Sequence, residues 1–203
     1  VVAAAFAMHN LNAVYIEPRI LGFEDPASDY AKVEKLREAI GHWPWLASGV
    51  GHFLTGLAAV PLALWAAELL RQASPLAASF LRIAGLFAAV GFLLGGVTDL
   101  LGSHALGLLV AENPTHRDAL YLADSLLRVV LNGFAIVAFG WFIGQLSWCA
   151  AGAGLLPRGL CRLGYAAAAS ALLFTVVYLP LYLPLYLAWA LWLGLALRRR
   201  PAA

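Results

Sequence analysis

Asp124, Arg128 and Asn132 stand four residues apart inside an otherwise apolar stretch, which puts all three on one face of a helix. An acid four residues ahead of a base is the favourable order for a pair along a helix, so Asp124 and Arg128 are expected to pair. A charge at the centre of a bilayer costs about 2.5–3.5 kcal/mol on insertion scales, which makes each such group a site candidate. His9, Asn12, His52 and Asp99 lie at corresponding depths of other apolar runs, and Tyr182 flanks a turn near the end of the chain. Asp99 and Asp124 share one arginine. The surplus carboxylate must be protonated, matched by His9, His52 or His104, or bound to a cation.

Two kinds of chemistry fit these residues. The first is binding: a polar pocket lined by His9, Asn12, His52, Asp99, Asp124, Arg128, Asn132 and Tyr182 would take a small lipophilic ligand, or the chain would serve as accessory subunit of a membrane complex. The second is catalysis, of isomerase, cyclase or hydrolase type. Asp99 or Asp124 would act as general acid and His52 as base on an isoprenoid, sterol-like or quinone substrate, with Tyr182 and Trp189 shielding positive charge. The plain alternative is a buried Asp124–Arg128 pair that satisfies itself and only fixes packing. Metal or haem ligation by His9 and His52, with His104, is a weaker third reading, because no two histidines share a helical i, i+4 spacing. No cofactor is named by the residues. Transport is disfavoured, since the other half of each run is almost wholly apolar.

The elements that must position these groups follow from composition. Of 203 residues 63% are hydrophobic and 12% charged, and the mean hydropathy is +0.82. Soluble domains carry about 25% charged residues, so the chain belongs in a lipid bilayer as an all-α polytopic bundle, one transmembrane domain over 1–203. About 20 apolar residues cross the hydrocarbon, and spans are expected at about 1–16, 47–70, 76–101, 119–146, 164–179 and 181–197. As one helix 165–197 would be about 50 Å long, so it must turn. Pro180 and Pro184 are expected to break it into a short hairpin, each removing a backbone donor. The run 1–16, beginning at Val rather than Met, reads as the outer part of a first span.

Between the first two spans, Tyr30, Val33, Leu36 and Ile40 recur at helical spacing, with Ser28 as cap and Gly41 as stop. This predicts an amphipathic helix over about 28–41, lying on the membrane as a connector or as a lid. Trp43 and Trp45 then read as interfacial anchors. Gly91 with Gly95, and Gly140 with Gly144, are small-xxx-small pairs that let helices approach closely.

Arg71, Arg82, Arg158, Arg162 and the tail Arg198–Arg200 fall on one side of a six-span topology with Glu68 as the only acid. Basic loops stay in the cytoplasm, so a plasma (inner) membrane protein with both termini cytoplasmic is expected. A five-span alternative moves the arginine tail outside. Partners are then the bilayer, a lipophilic small molecule or another membrane protein. A nucleic-acid footprint is absent. Two cysteines, Cys149 and Cys161, exclude a disulfide scaffold or a four-cysteine metal site. No lysine lies within a span, which excludes a retinal protein, and no H-E-x-x-H, G-x-S-x-G or P-loop pattern occurs.

The segment Gly154-Leu155-Leu156-Pro157-Arg158-Gly159-Leu160-Cys161-Arg162-Leu163-Gly164 resembles the G-x-LPR-x-L-x-x-LG loop of a bacterial multi-pass membrane family, a domain of unknown function. Asp29-Tyr30 after the first span, Arg71 followed by Ser74-Pro75, Arg82, and Trp192-Leu193-Gly194 before a basic tail agree in order. The resemblance implies six spans. It implies no activity.

Overall fold

A computed structural model describes residues 2–23, 29, 31–177 and 180–198, which are almost wholly helical, with no strand among them. The first leg runs through α1 (Val2–Leu11), a π-helical turn (Asn12–Ile16) and α2 (Glu17–Leu21), and ends at Gly22 with φ +65°. After a short α3 (Val33–Ala39) comes α4 (Trp43–Arg71). Ser74 caps α5 (Pro75–Val97), its hydroxyl accepting from the Ala77 N–H at 3.3 Å. A second π-helical turn (Thr98–Gly102) carries α5 into α6 (Ser103–Glu112). A 3-10 turn (Pro114–His116) leads to α7 (Arg117–Gly152), followed by α8 (Arg158–Val177) and α9 (Tyr182–Arg198).

Four of these stretches are long and apolar enough to cross a membrane: Trp43–Arg71, Pro75–Glu112, Pro114–Gly152 and Arg158–Val177; Tyr182–Arg198 is apolar but shorter. The third and fourth expected spans, 76–101 and 119–146, are thus parts of longer helices. Charges alone do not stop a helix. The stop comes at Asn113, whose conformation is restricted by Pro114 (φ −127°, ψ 62°). The expected break in 165–197 falls at Pro180, in the turn between α8 and α9. Pro184 does not break the chain; it lies in the first turn of α9, where its missing N–H has no partner to lose.

The legs pack in chain order, α1 on α4, α4 on α5, α5 on α7, α7 on α8 and α8 on α9, and α9 returns to α1 to close the ring. Its middle is filled by Phe6, Phe92, Phe139, Phe142, Tyr186 and Trp189, all buried. Phe139 meets Tyr186 edge-on at 5.2 Å between ring centres and Phe92 at 5.9 Å, and the Tyr186 hydroxyl donates to the Ile136 carbonyl at 2.7 Å. Edge-on pairs add about 0.5–1.5 kcal/mol each to area burial, so this plug binds the ring together. Leucine and phenylalanine also cover the outside, with Leu57, Phe80, Phe87, Leu94 and Leu172 exposed. Such a surface suits lipid rather than water.

Small residues set the spacing. The expected pairs face neighbouring helices: Gly91 lies against Ala135, Gly140 against Ala171 and Gly144 against Ala168. The crossing of α4 on α5 uses other glycines. A Cβ at Gly96 would come within 2.6 Å of the Phe53 nitrogen and 2.7 Å of the Gly49 carbonyl.

The connecting helix is shorter than 28–41, and Ser28 and Tyr30 lie outside the described residues. Gly41 (φ +86°) stands just beyond its end, as expected. The apolar face of α3 turns onto the bundle: Leu36 and Ala39 pack with Leu21, Phe23 and Trp45, beside Tyr121. Arg37 pairs with Asp118 of α7, and Lys35 donates to the Gly22 carbonyl at 2.6 Å. The helix is a cap on one end of the ring.

Candidate functional site

Beneath this cap the two π-helical turns lie at the same level. A π turn inserts an extra residue and rotates the rest of the helix by about 100°. One turn begins with Asn12 and hands on to Glu17; the other contains Asp99. Between them α4 presents Trp45, Ser48 and His52 on one face, and α7 presents Arg128. Glycines on α4 permit the approach: a Cβ at Gly49 would strike Asp99, and one at Gly51 would strike His9, at 2.7 and 2.8 Å.

Arg128 organises the cluster. Its Nε lies 2.8 Å from Asp99 Oδ1, a terminal nitrogen donates to Glu17 Oε1 at 3.4 Å, and the guanidinium stacks 3.6 Å above the Trp45 ring. The Asn12 amide nitrogen lies 2.6 Å from the Pro44 carbonyl, 2.8 Å from Ser48 Oγ and 3.1 Å from Glu17 Oε1, its two N–H groups shared among these three acceptors, while the Ser48 hydroxyl donates to Glu17. Those acceptors fix which end of the Asn12 amide is nitrogen. His52 Nδ1 stands 3.4 Å from Asp99 Oδ2, and the His9 ring lies over the His52 ring at 3.7 Å between centres. Asn12, Glu17, Ser48, His52, Asp99 and Arg128 are each no more than 3% exposed, so bulk water does not balance their charge.

Two carboxylates, Asp99 and Glu17, face the Arg128 guanidinium. Buried charge is tolerated when paired and costly when it is not, which is why these groups are drawn together. Hydrogen bonding in the cluster is not complete. Asn12 Oδ1 and Asn132 Oδ1 have no hydrogen-bond partner among the described residues, nor has His9 Nδ1. The two asparagine oxygens are acceptors lacking donors.

Of the residues expected from sequence, His9, Asn12, His52, Asp99 and Arg128 meet here. Asn132 lies one turn below Arg128, its oxygen 3.0 Å from where a Cβ at Gly95 would stand and on the same side as His52. Asp124 is one turn above, partly buried, beside Gly102. Among the described residues no ion pair links it to Arg128: Asp99 and Glu17, brought in by the π turns, engage the guanidinium. Tyr182 is part of the aromatic plug, 5.6 Å from Tyr186 and 4.9 Å from Phe174 between ring centres. His104 is exposed on α6. No group of three metal-ligating side chains occurs among the described residues, and the two imidazoles stack rather than converge.

Glu17, Ser48 and Trp45 were not expected. Glu17 reads as a loop charge because it ends the first apolar run, and Trp45 as an anchor because interfacial tryptophans have that look. Trp43 does stay exposed, but Trp45 is fully buried. The available signal was the spacing of Trp45, Ser48 and His52, at i, i+3 and i+7. Comparison of the chain with protein-family models, with curated proteins and with solved structures finds no match.

Proposed function

We propose that the chain is a six-span plasma-membrane protein with both termini cytoplasmic, and that its capped polar cluster binds a small lipophilic ligand whose head donates hydrogen bonds, an amine or an alcohol. The observation that carries this reading is Asn12 Oδ1, buried and without a hydrogen-bond donor among the described residues. An unsatisfied buried acceptor costs about 1–3 kcal/mol, and a donor head would recover it. The aromatic plug below and the Trp45–Leu36 cap above suit an apolar body. Arg71, Arg82, Arg158, Arg162 and Arg198 gather at the end away from the cap, which supports a cytoplasmic placement of that end and an outer placement of the cluster.

One observation favours a second reading. A carboxylate 3.4 Å from an imidazole nitrogen, as in Asp99 and His52, is how an acid/base group is oriented. In that reading the site transfers protons on an isoprenoid, sterol-like or quinone substrate.

Thermal unfolding in neutral detergent tests the binding reading with a long-chain amine, alcohol and carboxylic acid of equal chain length. A ligand at 100 times its Kd adds about 2.7 kcal/mol of stability. The amine and alcohol are expected to raise the unfolding temperature and the acid not to, and Asp99→Asn is expected to remove the amine's advantage. Equal response to the acid contradicts the reading.

A further inference from the structure

At the other end of the ring, the loop between α7 and α8 and the last turns of α9 enclose a groove of about 470 Å³, lined by Gly154, Leu155, Leu156, Pro157, Trp192, Leu195 and Ala196. That size falls within the range of small-molecule sites, roughly 300–1,000 Å³. The loop is held in shape by its backbone. Gly154 adopts φ +66°, and the Leu155 N–H donates to the Ala150 carbonyl at 2.8 Å. Trp192 forms one wall because α8 has glycine at 159: a Cβ there would lie 2.8 Å from the indole.

The surroundings of this groove are cationic and uncompensated. Arg158 comes directly after the lining residue Pro157, Arg162 stands one turn along the same face of α8, and Arg198 stands one turn beyond Leu195 on α9. All three are exposed, and none has an ion pair among the described residues, whereas Arg71 at this end pairs with Glu68 at 2.8 Å. After Asp124 the sequence offers these arginines no carboxylate side chain.

We propose that the groove binds an anionic phospholipid, one acyl chain lying along Leu155, Leu156, Leu195 and Trp192 and the phosphate held by Arg158 and Arg162, with Arg198 at the rim. An apolar trough bordered by unpaired arginines at the end of a membrane bundle matches both parts of that molecule. The inference rests on the membrane reading and is independent of the capped cluster.

The test uses the full chain in neutral detergent, with native mass spectrometry counting bound lipid. Phosphatidylglycerol is expected to bind at one site at least tenfold more tightly than phosphatidylcholine of the same chains, and glycerol phosphate not to compete at equal concentration. Arg158→Gln with Arg162→Gln is expected to reduce the preference to twofold or less. Leu195→Trp, which fills the groove from an exposed position, is expected to abolish the tight site. Equal binding of the two lipids, a preference that survives the double substitution, binding unaffected by Leu195→Trp, or effective competition by glycerol phosphate would overturn the proposal. All of these substitutions are at exposed positions, and an unchanged unfolding temperature without lipid verifies that the variants fold.

Discussion

Arg128→Leu is expected to lose about 3–5 kcal/mol of stability, the penalty for stranding a buried charge. The side chain it removes is the cation that both Asp99 and Glu17 engage, and both carboxylates are closed off from water. Chemical unfolding in detergent measures the loss. The second substitution in a double variant identifies the partner. Adding Asp99→Asn to Arg128→Leu takes away one stranded charge and is expected to recover part of the loss, with Glu17→Gln recovering more. Adding Asp124→Leu is expected to recover less than either, because Asp124 is only partly buried and makes no ion pair with Arg128 among the described residues. Recovery with Asp124→Leu and not with Asp99→Asn would return the arginine to the pairing along its own helix that the i, i+4 spacing suggests.

Gly96→Ala is expected to cost about 1–3 kcal/mol through overpacking, against the usual gain from replacing a helical glycine. The added methyl meets the Phe53 nitrogen and the Gly49 carbonyl, both backbone atoms of α4, so no side chain can swing aside to admit it. The two helices must separate. They do so at the level where His52 faces Asp99, so the response to the amine ligand is expected to fall together with stability. Gly107→Ala is the matched control. A Cβ there meets nothing within 4 Å, and the substitution is expected to stabilise by up to about 1 kcal/mol through helix propensity alone. Unfolding free energies of the two variants should therefore change with opposite signs.

Features that depend on one helix at a time were legible in the chain. Long apolar runs marked the legs, Pro180 marked the turn between the last two, and the level at which His9, His52, Asp99 and Arg128 interrupt those runs marked the layer of the site. Beyond the small-residue pairs at Gly91 and Gly140, contacts between helices were not legible, and the two π-helical turns are the main reason. The extra residue at 98–102 changes which way Asp99 faces relative to the 3.6-residue pattern of α5, and the turn at 12–16 does the same for Glu17. A regular periodicity assigns both to other faces and leaves Asp124 as the apparent partner of Arg128. The cap was half legible. The apolar positions of α3 were recognised, but an amphipathic helix has the same pattern whether it rests on lipid or on protein. Tyr121 and the buried Trp45 beside it decide for protein.

The capped cluster is proposed as a ligand site rather than a packing device. Native mass spectrometry of protein released gently from its own membrane tests it most directly, comparing the wild type with Asn12→Leu, which removes the unpartnered buried oxygen. The expected result is a small-molecule adduct of one per chain in the wild type that is missing from the variant, with bound phospholipid equal in both. Bare polypeptide of matching state in the two proteins would contradict the claim and leave the cluster as the internal brace of the ring.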